Sequence, residues 1–423
     1  MNIGFLGLGK LGLPVALAIE DKGHNVCGTD ISPITLKGIR TKTLHYKEEG
    51  AQELLNKSNI QIKNISDIVK DCDIIFVPIQ TPHEEKYEGI TRIPKERADF
   101  NYEHLRNGLR NLAIEAMVHK KEIVVIIIST VLPGTIRREI MPVLNNYIKL
   151  CYNPFFIAMG TTIQDFLNSE IILFGVEDEE AAVKAEEFYK TINNSPFFKT
   201  TLENAELIKV VYNTFISTKI SMINTVMETC HYLPNTNIDE VSKALSLCTN
   251  RIVSNKYLQG GMGDGGGCHP RDNIALSYLA NKLDLSFNWY DMIMKQREHQ
   301  TEWLARLIIQ NRNGLEINIL GKSFKPETNL TLGSPSLLLK TILEEYGITI
   351  KIWDPYVDGN IEKTAKEYGW NDREQLFFIG TKHEAFHHFY FHKDSVIIDP
   401  FRYLNLKDDV KYIPIGICNQ KIE

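Results

Sequence analysis

The 423-residue sequence has no apolar run of the roughly 20 residues that a membrane-spanning helix needs. It begins directly with a strand pattern, without the basic segment, apolar stretch and cleavage site of a secretory signal. The net charge is −6, and Lys and Arg form no basic stripe that would follow a phosphate backbone. We therefore expect a cytoplasmic globular protein that has neither a membrane nor a nucleic acid as its partner.

Cysteine is sparse and shows no pairing pattern. The seven cysteines are an odd, scattered set without a Cys-x-x-Cys pair, which argues against both a disulfide framework and a structural zinc site. Cys27, Cys72 and Cys151 lie in or beside apolar strand patterns, where a thiol behaves as a small hydrophobic side chain. Cys268 differs because it follows a run of glycines. We predict no metal site.

Short apolar runs alternate with helical patterns over residues 1–193, which is typical of a parallel sheet with crossover helices. Helical patterns alone follow over 194–313, and strand patterns resume over 314–423. The predicted fold is α/β: an N-terminal Rossmann-like doubly wound parallel sheet, a central all-helical segment and a second, smaller Rossmann-like domain. The predicted strands are 3–6, 25–29, 73–78, 123–129, 149–152, 171–174, 316–320, 348–353 and 395–399, and the long helices are 202–230 and 287–310. We predict a surface loop at 83–97, where charged residues are frequent.

The first predicted strand runs into Gly7-Leu8-Gly9-Lys10-Leu11-Gly12, and the second ends at Asp30. Gly7 permits a tight turn, Gly9 lets the backbone approach a pyrophosphate, and Gly12 permits close helix packing at a positively polarised helix N-terminus. Asp30 would accept hydrogen bonds from ribose hydroxyls and would repel a 2′-phosphate, so we predict NAD rather than NADP. Glycines that serve only a turn are the alternative, which the combination of strand, glycines, helix and acid makes weak.

A second glycine-rich segment spans residues 260–272 and is costly to order, as loops that bring backbone against a ligand often are. Cys268 ends the glycines and precedes a predicted helix, so the helix dipole and Arg271 could stabilise a thiolate. If the helix begins near Pro270, Asp272 lies in its first turn and could face the same pocket. A flexible linker with an incidental cysteine remains an open alternative.

Lys209 and Asn213 are four residues apart on the long predicted helix, with Glu206 nearby, so they share one face of it. On an otherwise apolar helix this is a candidate polar site. A solvated stripe on an amphipathic helix explains the same spacing equally well.

The chain contains, in this order, the first glycine motif, residues 129–135, Asn153-Pro154, residues 206–213, the cysteine loop and Phe324-Lys325-Pro326. Together these segments resemble the UDP-glucose/GDP-mannose dehydrogenase family across nearly the whole chain. The resemblance implies an NAD-dependent double oxidation of the C6 alcohol of a nucleotide sugar, first of all a UDP-glucose-like sugar, to a carboxylate without release of the aldehyde.

The resemblance also implies roles for single residues. Cys268 would be the nucleophile that forms a thiohemiacetal and then a thioester. Lys209 and Asp272 would position water or alkoxide and assist proton transfer, and an ammonium would stabilise each oxyanion. Asn213 would hold the sugar. Thr130 would line the site beside the nicotinamide, and Thr81 would join the cofactor site.

The last domain is implied to bind the nucleotide, and the helical segment resembles a dimerising core, so we expect a homodimer or an assembly of dimers. Arg251 resembles an arginine that reaches into a neighbouring subunit's site, and Arg402 follows a late Asp-Pro-Phe that is similar to the family's Asp-Gly-Arg segment. The residues predicted to bind substrate are Lys209, Asn213, Arg251, Tyr257, Gly265, Phe324, Lys325 and Arg402.

The sequence departs from the family pattern at Phe155, where a glutamate is assigned to acid/base work in thioester hydrolysis. Loss of such a group typically costs about 10²- to 10⁴-fold in rate. Further departures are Leu330 and Leu332 at usually charged positions, and Asp264 and Gly267 in the cysteine loop. Three hypotheses follow: a complete dehydrogenase, which we favour, a relative that stalls at the aldehyde or thioester, and a non-catalytic protein that binds NAD or a nucleotide sugar.

Overall fold

A computed structural model describes residues 1–249, 252, 254, 256–257, 259–285, 288–406 and 409–418. The chain forms two compact units, one of residues 1–82 with 99–211 and the other of residues 83–98 with 212–423. The division into three domains at residues 193 and 313 stays a prediction. None of the helices in the described ranges combines the length and the apolar character that crossing a membrane requires.

The first unit is built on an eight-stranded sheet with the order β3-β2-β1-β4-β5-β6-β7-β8. β1 to β6 are parallel, whereas β7 runs antiparallel to β6 and parallel to β8. Every residue of β5 is buried, because helices cover both faces of this part of the sheet. The strands are β1 (Asn2–Leu6), β2 (Asn25–Thr29), β3 (Gln61–Ile62), β4 (Ile74–Val77), β5 (Ile123–Ile127), β6 (Ile148–Tyr152), β7 (Ile172–Val176) and β8 (Phe197–Thr200).

The core of the first unit is aromatic in its centre. The ring of Phe76 stacks on Phe5 at 5.2 Å between centroids and meets Phe188 edge to face at 5.6 Å. Such pairs contribute about 0.5–1.5 kcal/mol beyond the burial of their area. The helices around this core are α1 (Gly12–Asp21), α2 (Pro33–Arg40), α3 (Ala51–Lys57), α4 (Ile65–Asp71), α5 (Glu103–His119), α6 (Thr162–Leu167), α7 (Glu179–Tyr189) and the start of α8 (Leu202–Tyr232), with a π-helical turn at Ile136–Ile140 and a 3₁₀ turn at Met141–Val143.

The second unit contains a five-stranded parallel sheet with the order β11-β10-β12-β13-β14 and a short antiparallel pair of β9 with β15. Its strands are β9 (Thr236–Asn237), β10 (Ile317–Leu320), β11 (Ile350–Trp353), β12 (Leu376–Ile379), β13 (Val396–Asp399), β14 (Lys411–Pro414) and β15 (Ile417–Cys418). Its helices, after the end of α8, are α9 (Ile238–Ser246), α10 (His269–Lys282), α11 (Trp289–Asn311), α12 (Pro335–Glu345) and α13 (Ile361–Tyr368), with 3₁₀ turns at Glu85–Tyr87 and Glu384–His388.

Local sequence signals explain where several of these helices begin and end. Ser334 caps α12, since its hydroxyl accepts a hydrogen bond from the Ser336 amide, and Pro335 occupies the first helical position. Asn360 caps α13 in the same way. That helix ends at Tyr368 and is followed by Gly369, whose φ of +67° is the left-handed conformation that glycine adopts most easily.

The charged stretch at 83–97 is irregular, as predicted, but it is anchored to the helices of its unit rather than only exposed. Tyr87 is 2% exposed. Arg92 forms an ion pair with Glu345 at 2.7 Å. The Thr341 hydroxyl donates a hydrogen bond to the carbonyl of Ile90 at 3.0 Å. These contacts make the stretch part of the second unit.

Candidate active site

The cofactor motif lies at the carboxyl ends of β1 and β4, where the strand order of the first sheet reverses and where doubly wound folds bind dinucleotides. Gly7 has a φ of +119°, and its amide donates to the Thr29 carbonyl at 2.9 Å. A Cβ on Gly12 would lie 2.3 Å from the Gly7 carbonyl oxygen, so this position must be glycine. A Cβ on Gly9 would meet nothing within 4 Å, which leaves space for a phosphate to approach.

Asp30 and the start of α1 complete this motif. The Asp30 carboxylate accepts the amide of Leu8 at 2.8 Å and that of Ser32 at 2.7 Å, so the acid also shapes the glycine loop. Lys10 is exposed, and Leu11 precedes α1 without a side-chain cap, so no side chain of Leu11 competes with an anion at the positively polarised start of this helix. The motif therefore fits the pyrophosphate and ribose of NAD.

Thr81 and Thr130 link the chain that follows β4 to the chain that follows β5. The Thr81 hydroxyl, in a side chain that is 2% exposed, donates to the Thr130 carbonyl at 2.7 Å. Both residues thus lie at the carboxyl edge of the parallel strands, on the side of the cofactor motif.

Glu206 on α8 holds the segment that follows Thr130. Its two carboxylate oxygens accept the amides of Gly134 at 2.5 Å and Ile136 at 2.8 Å. Burial raises the pKa of Glu206 to about 7, although the two backbone hydrogen bonds favour the ionised form and lower the pKa. One turn further on, Lys209 is 6% exposed, and its ammonium lies 5.5 Å from the centre of the Phe156 ring.

The Glu206→Gln variant should reveal this burial as a pH-dependent stability difference. An acid whose pKa is raised from 4.5 to about 7 on folding stabilises the protein below pH 4.5 and loses that contribution as the pH rises through 7. The unfolding free energy of wild type minus that of Glu206→Gln should therefore fall by up to about 3 kcal/mol between pH 5 and pH 8. Denaturant titrations measure it.

Glu203→Gln is the control for this prediction, since the ion pair with Arg137 lowers the pKa of Glu203. Its difference from wild type should not fall with rising pH. A pH-independent difference for Glu206→Gln would contradict the account of the buried carboxyl.

Phe155 is a core residue. It is 9% exposed, and its ring lies 5.4 Å from that of Phe166. The neighbouring Asn153 amide donates to the Leu173 carbonyl at 2.9 Å. The cavity beside these residues has a volume of about 20 Å³, which suits a water molecule and not a sugar. Phe155 therefore packs against its own unit and offers no group for proton transfer.

Cys268 lies immediately before α10 in the second unit and is partly exposed. The helix begins at His269, so Asp272 lies in its first turn as predicted, and the Asp272 amide donates to the Cys268 carbonyl at 2.8 Å. The fully buried Asp272 carboxylate accepts Asn213 Nδ2 at 2.6 Å and pairs with Arg271 at 3.1 Å. Arg271 thus neutralises Asp272 directly.

A buried ion pair fixes the glycine loop in front of Cys268. Arg297 on α11 is 2% exposed and lies 2.8 Å from the Asp264 carboxylate. Its other nitrogens donate to the carbonyls of Gly89 and Gly333, each at 3.0 Å. One guanidinium therefore joins three irregular segments of the second unit. These contacts help to offset the conformational entropy that is lost when so many glycines are ordered.

Asp264→Asn should destabilise the protein by about 3–5 kcal/mol, because it leaves the Arg297 charge buried without its partner. The double variant Asp264→Leu with Arg297→Met should regain part of that loss. Arg373, whose side chain is 57% exposed and pairs with Glu316, provides the control. Its alanine variant should cost less than about 1 kcal/mol in the same denaturant titrations. Equal losses for Asp264→Asn and Arg373→Ala would contradict this prediction.

His83 belongs to the surroundings of Asp272, although the sequence around it indicated no role for this residue. Burial and the nearby positive charge of Arg271 lower the pKa of His83 to about 4, so its ring is neutral at pH 7. Because His83 lies in a charged stretch of sequence, the pattern gave no indication that its ring is buried.

The residues predicted to bind substrate have different surroundings in the second unit. A Cβ on Gly265 would lie 3.1 Å from the side chain of Phe324, so the cysteine loop packs on Phe324. Lys325 lies 5.8 Å from the centre of the Phe324 ring. Tyr257 is 46% exposed and has a φ of +63°. Arg251 lies outside the described residues.

Arg402 makes contacts that hold its own unit together. Its guanidinium pairs with Asp239 at 3.0 Å and donates to the Gly260 carbonyl at 2.9 Å and to the Ile415 carbonyl at 3.0 Å. Its side chain is 4% exposed. In this structure Arg402 therefore supports the start of the cysteine loop, and a direct contact with substrate stays a prediction.

The second parallel sheet also has an aspartate directly after one of its strands. Asp354 follows β11 as Asp30 follows β2, and its carboxylate accepts the amide of Lys322 at 2.7 Å. Burial raises the pKa of Asp354, but hydrogen bonds from His383, Ser323 and Lys322 outweigh burial and lower it below its usual range. The loop that carries Phe324 and Lys325 is thus held by a buried carboxylate.

Comparison with known proteins matches both units to one family. Residues 1–193 match the UDP-glucose/GDP-mannose dehydrogenase family, NAD binding domain. Residues 203–298 match the central domain of the same family. UDP-glucose 6-dehydrogenase TuaD of Bacillus subtilis is 28% identical over 84% of this chain and 76% of its own. GDP-mannose 6-dehydrogenase of Pseudomonas aeruginosa is 25% identical over 87% of this chain and 84% of its own.

Solved structures share the fold. A UDP-glucose dehydrogenase of Pyrobaculum islandicum superposes with a TM-score of 0.85 at 22% identity, covering 98% of each chain. The UDP-D-ManNAc dehydrogenase of Pyrococcus horikoshii gives a TM-score of 0.81 at 22% identity, covering 99% of this chain and 100% of its own. With two domains of one family matched in order along most of its length, the chain belongs to the UDP-glucose/GDP-mannose dehydrogenase family and is an NAD-dependent oxidoreductase.

Proposed function

We propose that this protein oxidises the C6 alcohol of a nucleotide sugar to the uronic acid in two NAD-dependent steps through Cys268. The observation that carries the proposal is the arrangement around the start of α10, where a partly exposed cysteine is followed by a buried aspartate that is bonded to Asn213. A UDP-glucose-like sugar is the first candidate, since the curated relatives include UDP-glucose 6-dehydrogenases.

When bound, NAD would supply the hydride acceptor for each oxidation. The Cys268 thiolate adds to the aldehyde of the first oxidation, and the thiohemiacetal yields a thioester in the second, which water then hydrolyses. Thr130 lines the site beside the nicotinamide, and Lys209 provides the ammonium that stabilises each oxyanion. Asp272 positions water, and Asn213 holds both that carboxylate and the sugar.

The three predicted domains carry these tasks in order. Residues 1–193 bind NAD, 194–313 carry the cysteine loop and the subunit contacts, and 314–423 bind the nucleotide, with Phe324 and Lys325 facing the substrate. Arg251, Tyr257, Gly265 and Arg402 complete the proposed substrate site. The exposed apolar side chains of Ile208, Val211, Phe215 and Met222 on α8 support a homodimer through this helix.

A panel of UDP- and GDP-sugars, with the products identified by mass spectrometry, tests this proposal. We expect sustained formation of a sugar acid from at least one member. A relative stalled because Phe155 replaces the acid would instead form NADH only in the first turnover. A non-catalytic protein would bind ligands saturably without turnover, both with and without Cys268→Ala, and either result would contradict the proposal.

A further inference from the structure

We propose that Cys27 and Cys72 are an oxidisable thiol pair, which hydrogen peroxide converts into a reversible disulfide inside the first unit. Cys27 lies on β2, and Cys72 directly follows α4, 45 positions further along the chain. The two sulfur atoms lie 3.3 Å apart in the core of the unit. This site is separate from the chemistry proposed for Cys268.

The two sulfurs meet across β1, the strand that separates β2 from β4 in the sheet. In the register of β1 with β2, Gly4 lies opposite Cys27. A Cβ on Gly4 would lie 3.1 Å from the Cys72 sulfur, which therefore lies directly over this glycine. Because residue 4 has no side chain, Cys72 can reach the thiol on the neighbouring strand.

Formation of the bond requires only a small movement. A disulfide holds its sulfurs about 2.05 Å apart, so the two thiols must approach each other by little more than about 1 Å. Cys27 is in a strand, and Cys72 has an extended backbone with φ of −99° and ψ of 148°. Neither side chain is therefore restricted by a preceding helical turn, and small rotations about the Cα–Cβ bonds shorten the distance.

Cys27 is the thiol that reacts first with an oxidant. It is 6% exposed, whereas Cys72 is 1% exposed. The hydrogen bond from the Cys72 thiol lowers the pKa of Cys27 and outweighs the opposite effect of burial. The same hydrogen bond raises the pKa of Cys72. Cys27 thus has the greater thiolate character, which determines nucleophilicity, and Cys72 is placed to resolve the oxidised intermediate.

Hydrogen peroxide is the only co-reactant that the reaction needs. The Cys27 sulfur bonds to one peroxide oxygen, the oxygen–oxygen bond breaks, and hydroxide leaves and takes up the Cys27 proton as water. The Cys72 sulfur then bonds to the Cys27 sulfur of the sulfenic acid, the sulfur–oxygen bond breaks, and the second oxygen leaves as water with the Cys72 proton. The thiol pair loses two electrons and two protons, and the peroxide is reduced to two waters. A dithiol reverses the reaction by exchange.

The disulfide stabilises the sheet that carries the cofactor motif. It closes a long loop of chain between residues 27 and 72 and so restricts the unfolded state. β2 ends directly before Asp30, and β1 ends directly before Gly7. The cross-link therefore ties together the strands that hold both parts of the NAD site, and oxidation protects this unit against unfolding.

The test treats the folded, full-length protein with hydrogen peroxide, blocks the remaining thiols by alkylation and analyses an unreduced digest by mass spectrometry. We expect a cross-linked pair of peptides that contains Cys27 and Cys72, and dithiothreitol should remove it. The melting temperature should rise by about 5 °C on oxidation and return to its first value on reduction.

Three variants separate this effect from oxidation elsewhere. Cys27→Ala and Cys72→Ala should each lose the cross-link and the rise in melting temperature. Cys151→Ala is the matched control, because Cys151 is a buried thiol of β6 in the same sheet. It should keep both the cross-link and the rise.

The exposed Cys248 reports that the oxidant has reacted. If Cys248 is oxidised and folded protein shows no cross-link between Cys27 and Cys72, the proposal is overturned. A cross-link that forms in urea but not in folded protein would overturn it as well, since the contact in the fold would then not direct the reaction. Neither readout uses a nucleotide sugar, so failure of the proposed function would leave this test intact.

Discussion

Cys268→Ala should abolish formation of the sugar acid, with a loss of at least about 10⁴-fold in steady-state rate. Without the sulfur there is no thiohemiacetal, so the second hydride transfer lacks its tetrahedral substrate. The first oxidation does not use the thiol, and one NADH per sugar with free aldehyde should be the residual activity. NADH absorbance together with an aldehyde trap measures both quantities.

Cys248→Ala is the matched control, because Cys248 is exposed and its sulfur contacts only the Ala244 carbonyl at 3.6 Å among the contacts that the structure describes. This variant should keep full turnover and a ratio of two NADH per acid. Cys268→Ala that still produced the acid at more than a hundredth of the wild-type rate would rule out a covalent role for Cys268.

The second large effect is expected at the first glycine motif, where two substitutions of the same size should act differently. Gly12→Ala places a Cβ 2.3 Å from the Gly7 carbonyl oxygen and 2.8 Å from Pro78 Cγ, and a backbone carbonyl cannot move aside easily. We expect a loss of about 3 kcal/mol of folding stability, together with loss of NAD binding. Denaturant unfolding and isothermal titration with NAD measure the two effects.

Gly9→Ala is the partner experiment, since its Cβ would meet no protein atom within 4 Å. It should leave the unfolding free energy within about 0.5 kcal/mol of wild type but weaken NAD binding about 100-fold, near 2.7 kcal/mol, by filling the space that the pyrophosphate needs. Unchanged NAD affinity in Gly9→Ala would contradict the placement of the cofactor. Unchanged stability in Gly12→Ala would contradict the packing of α1.

The strand and helix patterns predicted most of the long elements because periodicity is strong where an element is long and one of its faces is buried. The helix predicted at 202–230 is α8, Leu202–Tyr232, and the helix predicted at 287–310 is α11, Trp289–Asn311. β3 and β9 have two residues each, which is too short for any period to appear. None of the four residues of β8 is buried, so its sequence shows no alternation of apolar and polar positions.

The direction of β7 was not predictable from composition. The sequence indicated one parallel sheet, whereas β7 runs antiparallel to β6. Direction depends on the path of the connection between the two strands. Here that path is the irregular chain after Asn153 followed by the six-residue helix α6, rather than a long crossover helix.

The local parts of the candidate site were predictable, and its long-range contacts were not. The spacing of Asn213 on its helix, and of Asp272 after Cys268, predicted that both side chains face the candidate site. In the structure, Asn213 Nδ2 donates a hydrogen bond to the Asp272 carboxylate at 2.6 Å. Ser217, whose hydroxyl donates a hydrogen bond to the Asp264 carboxylate at 2.7 Å, lies on the same face of α8 as Asn213, so helical spacing could have identified it. The pairing of Asp264 with Arg297 links a loop to a helix 33 positions later and depends on the tertiary fold.

The ratio of NADH formed to sugar acid formed, measured under sustained turnover with an aldehyde trap present, tests the central claim most directly. A two-step oxidation through Cys268 predicts a ratio of two with no trapped aldehyde, at many turnovers per subunit. A ratio of one with aldehyde released, or formation of NADH that stops after a single turnover, would contradict it.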